Sequence, residues 1–231
     1  MSNSILVLAA HPDDEVLGCG GVMARHARQG DTVRSVILAE GITSRDTKRD
    51  RDARTDELSA LGKAAHKANK ILGVEELILH DFPDNRMDSL PRLDVVKYIE
   101  ELIERFRPDI VYSHHGGDVN VDHRRIHDAV VTACRPMPGK QGVQTLLFFE
   151  VASSTEWQPP GSATPFVPDW FVDVSEYLTV KLEALGAYAS EMRPWPHARS
   201  IEAVEHLARW RGANIGVSAA EAFKLGRRLV L

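Results

Sequence analysis

The chain reads as an α/β protein: a Rossmann-like, mostly parallel sheet with helices on both faces, in a single domain over residues 1–231. Three observations predict this. Short apolar runs rich in β-branched residues alternate with longer segments of helical periodicity. The 231 residues suffice for one such domain. Dense runs of histidine and aspartate follow the first and the fourth of the short apolar runs, as expected where a parallel sheet gathers its functional loops at the carboxyl ends of its strands.

Ile5-Leu6-Val7-Leu8 is the first strand, and Val16 to Gln29 the first helix. Thr32 to Ala39 is the second strand. Asp52 to Leu72 carries Leu58, Leu61, Ala65, Ala68 and Leu72 on one stripe and is a helix stopped by Gly73. Glu76 to Leu79 is the third strand. Pro91 opens a helix along Val95, Ile99, Leu102 and Phe106, which Pro108 ends. Asp109 to Ser113 is the fourth strand, Asp122 to Cys134 a helix, and Thr145 to Val151 the fifth strand. Trp170 to Val174 is a candidate sixth strand, and Val180 to Ala189 and Ile201 to Arg211 are helices. The Ser218-to-Glu221 spacing fits a capping box opening a last short helix. The polar stretch Ala152 to Pro168, with Trp157, reads as an ordered loop over a pocket. With right-handed crossovers and the common order 3-2-1-4-5, strands 1 and 4 are neighbours where the order reverses, the usual ligand position in such sheets.

The run after strand 1, Ala9 to Gly21, reads AAHPDDEVLGCGG. It places His11, Asp13, Asp14 and Glu15 together. His11 and Asp14, three apart on a turn entering a helix, can converge on one point. An imidazole with a carboxylate suits Zn²⁺, and also Fe²⁺ or Mn²⁺. Asp13 points elsewhere and is free to act on a water. The plain alternative is a strand-to-helix turn with an aspartate N-cap and Glu15 complementing the helix dipole. The run after strand 4, SHHGGDVNVDHRRIH, supplies further imidazoles.

Ala10 to Glu15 resembles the AHPDD-Glu signature of the PIG-L/LmbE-like family of zinc-dependent N-deacetylases. That family's second motif is His-Pro-Asp-His, and Asn120-Val121-Asp122-His123 keeps its Asp-His while replacing the first His by Asn120 and the Pro by Val121. The resemblance implies His11, Asp14 and His123 as zinc ligands, Asp13 as general base and Asp122 as a supporting acid that orients His123 or another histidine. It implies an oxyanion role at Asn120, which can donate a hydrogen bond but carries no positive charge. The implied reaction is removal of an N-acetyl group from an amino sugar or sugar conjugate. The residues by themselves indicate only metal-assisted hydrolysis. Hydrolysis of another small-molecule amide or acyl bond, and non-catalytic metal or sugar binding, stay open. Arg54, Arg86, Asn85 and Arg193 are candidate substrate clamps on loops at the active edge of the sheet. Trp157 and Trp195 are candidate stacking faces for a sugar ring. The resemblance is also compatible with a homo-oligomer.

Other classes fit less well. Net charge is −5, which argues against phosphate-neutralising nucleic-acid binding. Gly18-Cys19-Gly20-Gly21 fails the G-x-G-x-x-G spacing at Met23, and acids precede it where a pyrophosphate would sit. His123 and His127 lack the glutamate of an HExxH motif. Two cysteines, Cys19 and Cys134, give no disulfide framework and suit a reducing, cytoplasmic compartment. The N-terminal apolar run is short for a secretory signal, and no segment approaches the ~20 apolar residues of a membrane span.

Overall fold

The computed structural model describes residues 2–138 and 142–230. Its order is β1 (Ser4–Ala9), α1 (Asp14–Arg28), β2 (Thr32–Ala39), α2 (Thr55–Leu72), β3 (Glu76–Phe82), α3 (Arg92–Phe106), β4 (Ile110–His114), α4 (Val121–Ala133), β5 (Thr145–Phe149), β6 (Trp170–Asp173), α5 (Leu178–Ala187), α6 (Ile201–Ala213) and β7 (Ala220–Arg228). The strands lie in one sheet in the order β3-β2-β1-β4-β5-β7-β6. The five strands from β3 to β5 pair in parallel, and β7 runs antiparallel to both β5 and β6.

Alternation along the strands divides the core. Ile5 and Val7 face α1, α2 and α5, while Leu6 and Leu8 face α3 and α4. All four are at most 1 % exposed, which is why β1 carries no polar residue after Ser4: a central parallel strand is covered on both faces. β1 and β4 are adjacent, with Ile5 beside Ile110 and Leu8 beside Ser113. Their carboxyl ends therefore bring the two histidine–aspartate runs together, as the expected strand order requires.

The capping-box expectation fails. Ser218 to Glu221 leads into β7, not a helix. Glu221 is buried and accepts from the Gly21 and Val22 N–H groups, at 2.9 and 2.7 Å. Tertiary pairing with β5 and β6 overrides the local signal. Those two N–H groups are free because α1 breaks at Cys19, whose φ of −148° is not helical. Lys181 on α5 completes the repair, donating to the Leu17 carbonyl (2.8 Å) and to Glu221 (2.6 Å).

Candidate metal centre and active site

β1 ends in a loop tied to both neighbouring strands. The Ala10 N–H donates to His114 Nε2 (2.8 Å), and the Ala10 carbonyl accepts from Ala39 (2.8 Å). The chain then turns sharply. Asp13 has φ 116°, a left-handed geometry that favours glycine, and only 1 % of it is exposed. Its N–H is pinned to Glu15 Oε2 (3.1 Å), and Glu15 Oε1 is held by Tyr188 (2.6 Å) and Asn69 (3.0 Å). A non-glycine residue kept there by surrounding bonds is the kind of stored strain found at functional sites.

The second run supplies the other half. Asn120 caps α4, its Oδ1 accepting from the Asp122 N–H (2.8 Å). Just inside the cap, Asp122 and His123 reach back across the sheet end. Asp14 Oδ2 lies 3.2 Å from His11 Nδ1 and 3.1 Å from His123 Nε2. The remaining ring nitrogens are each held by a carboxylate. His11 Nε2 lies 3.0 Å from Asp122 and 3.3 Å from Asp84, and His123 Nδ1 lies 3.2 Å from Asp118. Asp122 thus orients His11, while Asp118 serves His123. Asp118 is itself gripped by Ser154 (2.5 Å), Thr155 (2.6 Å) and the Asn120 N–H (2.8 Å). A carboxylate on the outer nitrogen fixes the tautomer and makes the inner nitrogen a better ligand.

The electrostatics ask for a cation at this point. Burial alone would depress His11 and His123. The bonds of His11 to Asp122 and Asp14 instead hold it well above its ordinary value, and Asp14 and Asp118 bring His123 to about 9. Asp14, despite its burial, is held well below the usual carboxylate range by the two imidazoles. Donor atoms of His11, Asp14 and His123 all lie within 4.8 Å of one another. Two nitrogens and one oxygen are a donor set suited to zinc or another borderline divalent cation. The residues present fit such an ion. Beside them, burial and the neighbouring Asp14, Glu15 and Glu191 charges push Asp13 up against the opposing pull of Arg199.

The centre opens into a cavity of about 510 Å³, lined among others by Ile42, Ser44, Arg45, Asp84, Asn85, Val119, Asn120, Ser153, Trp157, Glu191 and Arg199. That size suits a small polar ligand.

A family model described as GlcNAc-PI de-N-acetylase, PIG-L, matches residues 6–134, a segment containing both runs. The chain belongs to the PIG-L family. It is 32 % identical over 192 residues to the uncharacterized deacetylase YaiS of Escherichia coli K12, covering 80 % of this chain and 90 % of that protein. It is 30 % identical to the 1D-myo-inositol 2-acetamido-2-deoxy-alpha-D-glucopyranoside deacetylase 1 of Saccharopolyspora erythraea, covering 83 % and 78 % respectively. The crystal structure of GalB, the 4-carboxy-2-hydroxymuconate hydratase of Pseudomonas putida KT2440, superimposes with a TM-score of 0.76 at 24 % identity, covering 100 % of this chain and 98 % of that one. The last likeness concerns the fold alone, and a fold does not fix a reaction.

Within this PIG-L site the structure gathers His11, Asp13, Asp14, Asn85, Asn120 and His123 around the cavity, with Asp122 behind His11. Asn120 also donates to Asn85 Oδ1 (2.9 Å). Three candidate clamps do not line the cavity. Arg54 pairs with Asp46 and Glu57, Arg86 donates to the Asp46 and Thr47 carbonyls, and Arg193 to those of Ser190 and Met192. Arg45 and Arg199 are the arginines that line it. Of the two tryptophans, Trp157 lies at the cavity, while Trp195 packs edge-on against His206 elsewhere. Neither histidine at the end of β4 takes a place in the lining. His114 is buried, stacked on His123 with ring centroids 3.9 Å apart, and held well below its ordinary pKa chiefly by that burial. His115 is bonded to the Thr164 carbonyl (2.9 Å). Glu150 is paired with Arg211. Asp118 and Arg199 escape the sequence reading. For Asp118 a signal existed, since a ligand histidine needs a partner for its second nitrogen. Arg199 sits in a loop with nothing to mark it.

Proposed function

We propose that the protein is a divalent-metal-dependent N-deacetylase, with zinc as the ion, acting on an N-acetylated amino sugar or sugar conjugate. The convergence of His11, Asp14 and His123 beside the strained, buried Asp13 carries this reading. Family membership supports it, as does the acetamido-sugar named for the Saccharopolyspora relative.

His11, Asp14 and His123 would hold the ion. When bound, it polarises the amide carbonyl and makes a water a nucleophile near neutral pH. Asp13 accepts the proton of the attacking water and returns it to the departing amine, and its raised pKa places it closer to the optimum for both steps. Asp122 and Asp118 keep the two imidazoles aligned. Trp157, Ile42, Leu61 and Val119 contribute apolar surface to the cavity, and Asn85, Asn120 and Ser44 give it hydrogen-bonding groups for hydroxyls. A cytoplasmic setting belongs to the same proposal, supported by the free buried thiols of Cys19 and Cys134. Among the described residues, no helix is long and apolar enough to cross a membrane.

Elemental analysis of the purified protein, followed by acetate release from a panel of N-acetylated sugars, tests the reading. Asp13→Asn is expected to keep its metal and lose turnover by at least about 100-fold. Turnover surviving in that variant, or no acetate from any acetamide with the metal present, would overturn it.

A further inference from the structure

We infer that Arg199 is the positioning residue for the base: it clamps Asp13 Oδ2 so that the second carboxylate oxygen stays turned to the reaction. This rests on the proposed role of Asp13. Arg199 lies in the loop between α5 and α6, 186 positions beyond Asp13, yet its Nη1 donates to Asp13 Oδ2 at 3.0 Å. The guanidinium is anchored a second time, Nε donating to Ser153 Oγ at 3.0 Å. Two bonds in a planar fork fix direction as well as distance, which a single flexible ammonium does not. Asp13 Oδ1 has no hydrogen-bond partner among the described residues, so the clamp leaves one oxygen free.

Two further observations favour a positioning role over a surface ion pair. Asp13 is 1 % exposed and is followed in the chain by two acids, Asp14 and Glu15, so a cation is needed to keep its carboxylate facing inward. Position 120 of the second motif brings Asp13 no such cation, because Asn120, which stands where the family pattern has histidine, carries no charge. The other arginine of the cavity, Arg45, is engaged twice by Glu191, at 3.0 and 2.9 Å. Arg199 is thus the cavity arginine in contact with the base.

The test compares metal-loaded wild type with Arg199→Ala, Arg199→Lys and Ser153→Ala, on whichever acetamide the wild type hydrolyses. A base displaced by about 1 Å costs roughly 100-fold in rate. Arg199→Ala is therefore expected to lower kcat by about 100-fold with KM within about threefold, the pattern of an interaction made in the transition state. Arg199→Lys should recover part of the loss. Guanidinium ion added at millimolar concentration should raise turnover of Arg199→Ala saturably, since the cation refills its own cavity. Ser153→Ala, which removes only the second anchor, should lose kcat more mildly. Unchanged kcat, or a rise in KM alone, would overturn the inference. Crystal structures of wild type and Arg199→Ala give a readout independent of activity. Asp13 is expected to adopt a second rotamer in the variant, and an unmoved carboxylate would count against the clamp even if the enzyme proved inactive on every acetamide. Inactive wild type overturns the proposed function, whereas active wild type with an indifferent Arg199 overturns only this inference.

Discussion

Replacing Glu221 by Gln should be among the most damaging single changes outside the active site. Glu221 and Lys181 are each about 4 % exposed in their side chains and lie 2.6 Å apart. Glu221 also satisfies the Gly21 and Val22 N–H groups freed by the break at Cys19. The amide can keep its oxygen on the Gly21 N–H and the Lys181 ammonium only by turning its NH₂ toward the Val22 N–H, and in either orientation the ammonium loses its buried countercharge. Removing one partner of a buried ion pair costs roughly 3–5 kcal/mol. In a chain of this size each kcal/mol lowers Tm by about 2–4 °C, so a fall of about 6–20 °C is expected. Lys181→Met should cost less, because the Glu221 carboxylate still caps two N–H groups at a helix start. The double variant Lys181→Met/Glu221→Gln should then recover about 1–3 kcal/mol relative to the sum of the single losses. Thermal and urea unfolding of the four proteins close the cycle. A Glu221→Gln loss under about 1 kcal/mol, or strictly additive single losses, would refute the buried-pair reasoning.

Three other outcomes follow from the same geometry. Asp118→Asn should weaken metal binding about 10–100-fold in chelator competition, because His123 loses the carboxylate on its outer nitrogen; unchanged affinity would show that the carboxylate does not tune His123. Gly18→Ala would press a methyl against the Phe149 ring, within 2.6 Å of its Cγ, at a cost of about 1–3 kcal/mol. Phe149 lies edge-on to His114, which stacks on His123, so metal affinity should fall together with Tm, and a stable variant with full affinity would contradict that chain of contacts. Burial raises Glu15 from 4.5 to about 7 against the bonds from Tyr188, Asp13 and Asn69. Between those values the folded chain keeps a proton that the unfolded chain has lost. The group's stabilisation is therefore full below about pH 4.5 and is lost as pH rises through about 7, by about 3 kcal/mol. Urea titrations of the metal-free protein across that window should show the decline in wild type and a flatter profile in Glu15→Gln.

The parallel half of the fold was legible because its strands announce themselves locally. β1, β2, β4 and β5 are short apolar runs, buried on both faces, and the helices between them carry regular stripes. The crossover rule then made β1 and β4 neighbours without any contact being known. β7 was illegible for the complementary reason. AEAFKLGRR contains a glutamate, a lysine and a glycine, and it is a strand only because β5 and β6 flank it and Lys181 meets Glu221. The metal-ligand candidates follow the same division. His11 and Asp14 are three apart, and His123 sits beside the retained aspartate of the second motif. Arg199 meets Asp13 from 186 positions away, so no spacing encodes it, whereas Asp118 stands five positions before His123 and is marked only by that histidine's need for a partner.

The two runs also explain why the centre holds together. His11 of the first run binds Asp122 of the second, and His123 of the second binds Asp14 of the first. The bonds cross, so neither loop can shift without breaking a contact to the other. Buried carboxylates so close would repel if left bare, and the raised affinity of both imidazoles for protons supplies the compensating charge in the metal-free chain. A divalent ion taking the inner nitrogens would displace those protons and leave the outer bonds to Asp122 and Asp118 intact. The candidate ligands therefore stand ready before an ion arrives, on the turn that follows β1 and in the first turns of α1 and α4. The cost of assembling such a charged, strained site is carried by the apolar layers on either side of β1 and β4.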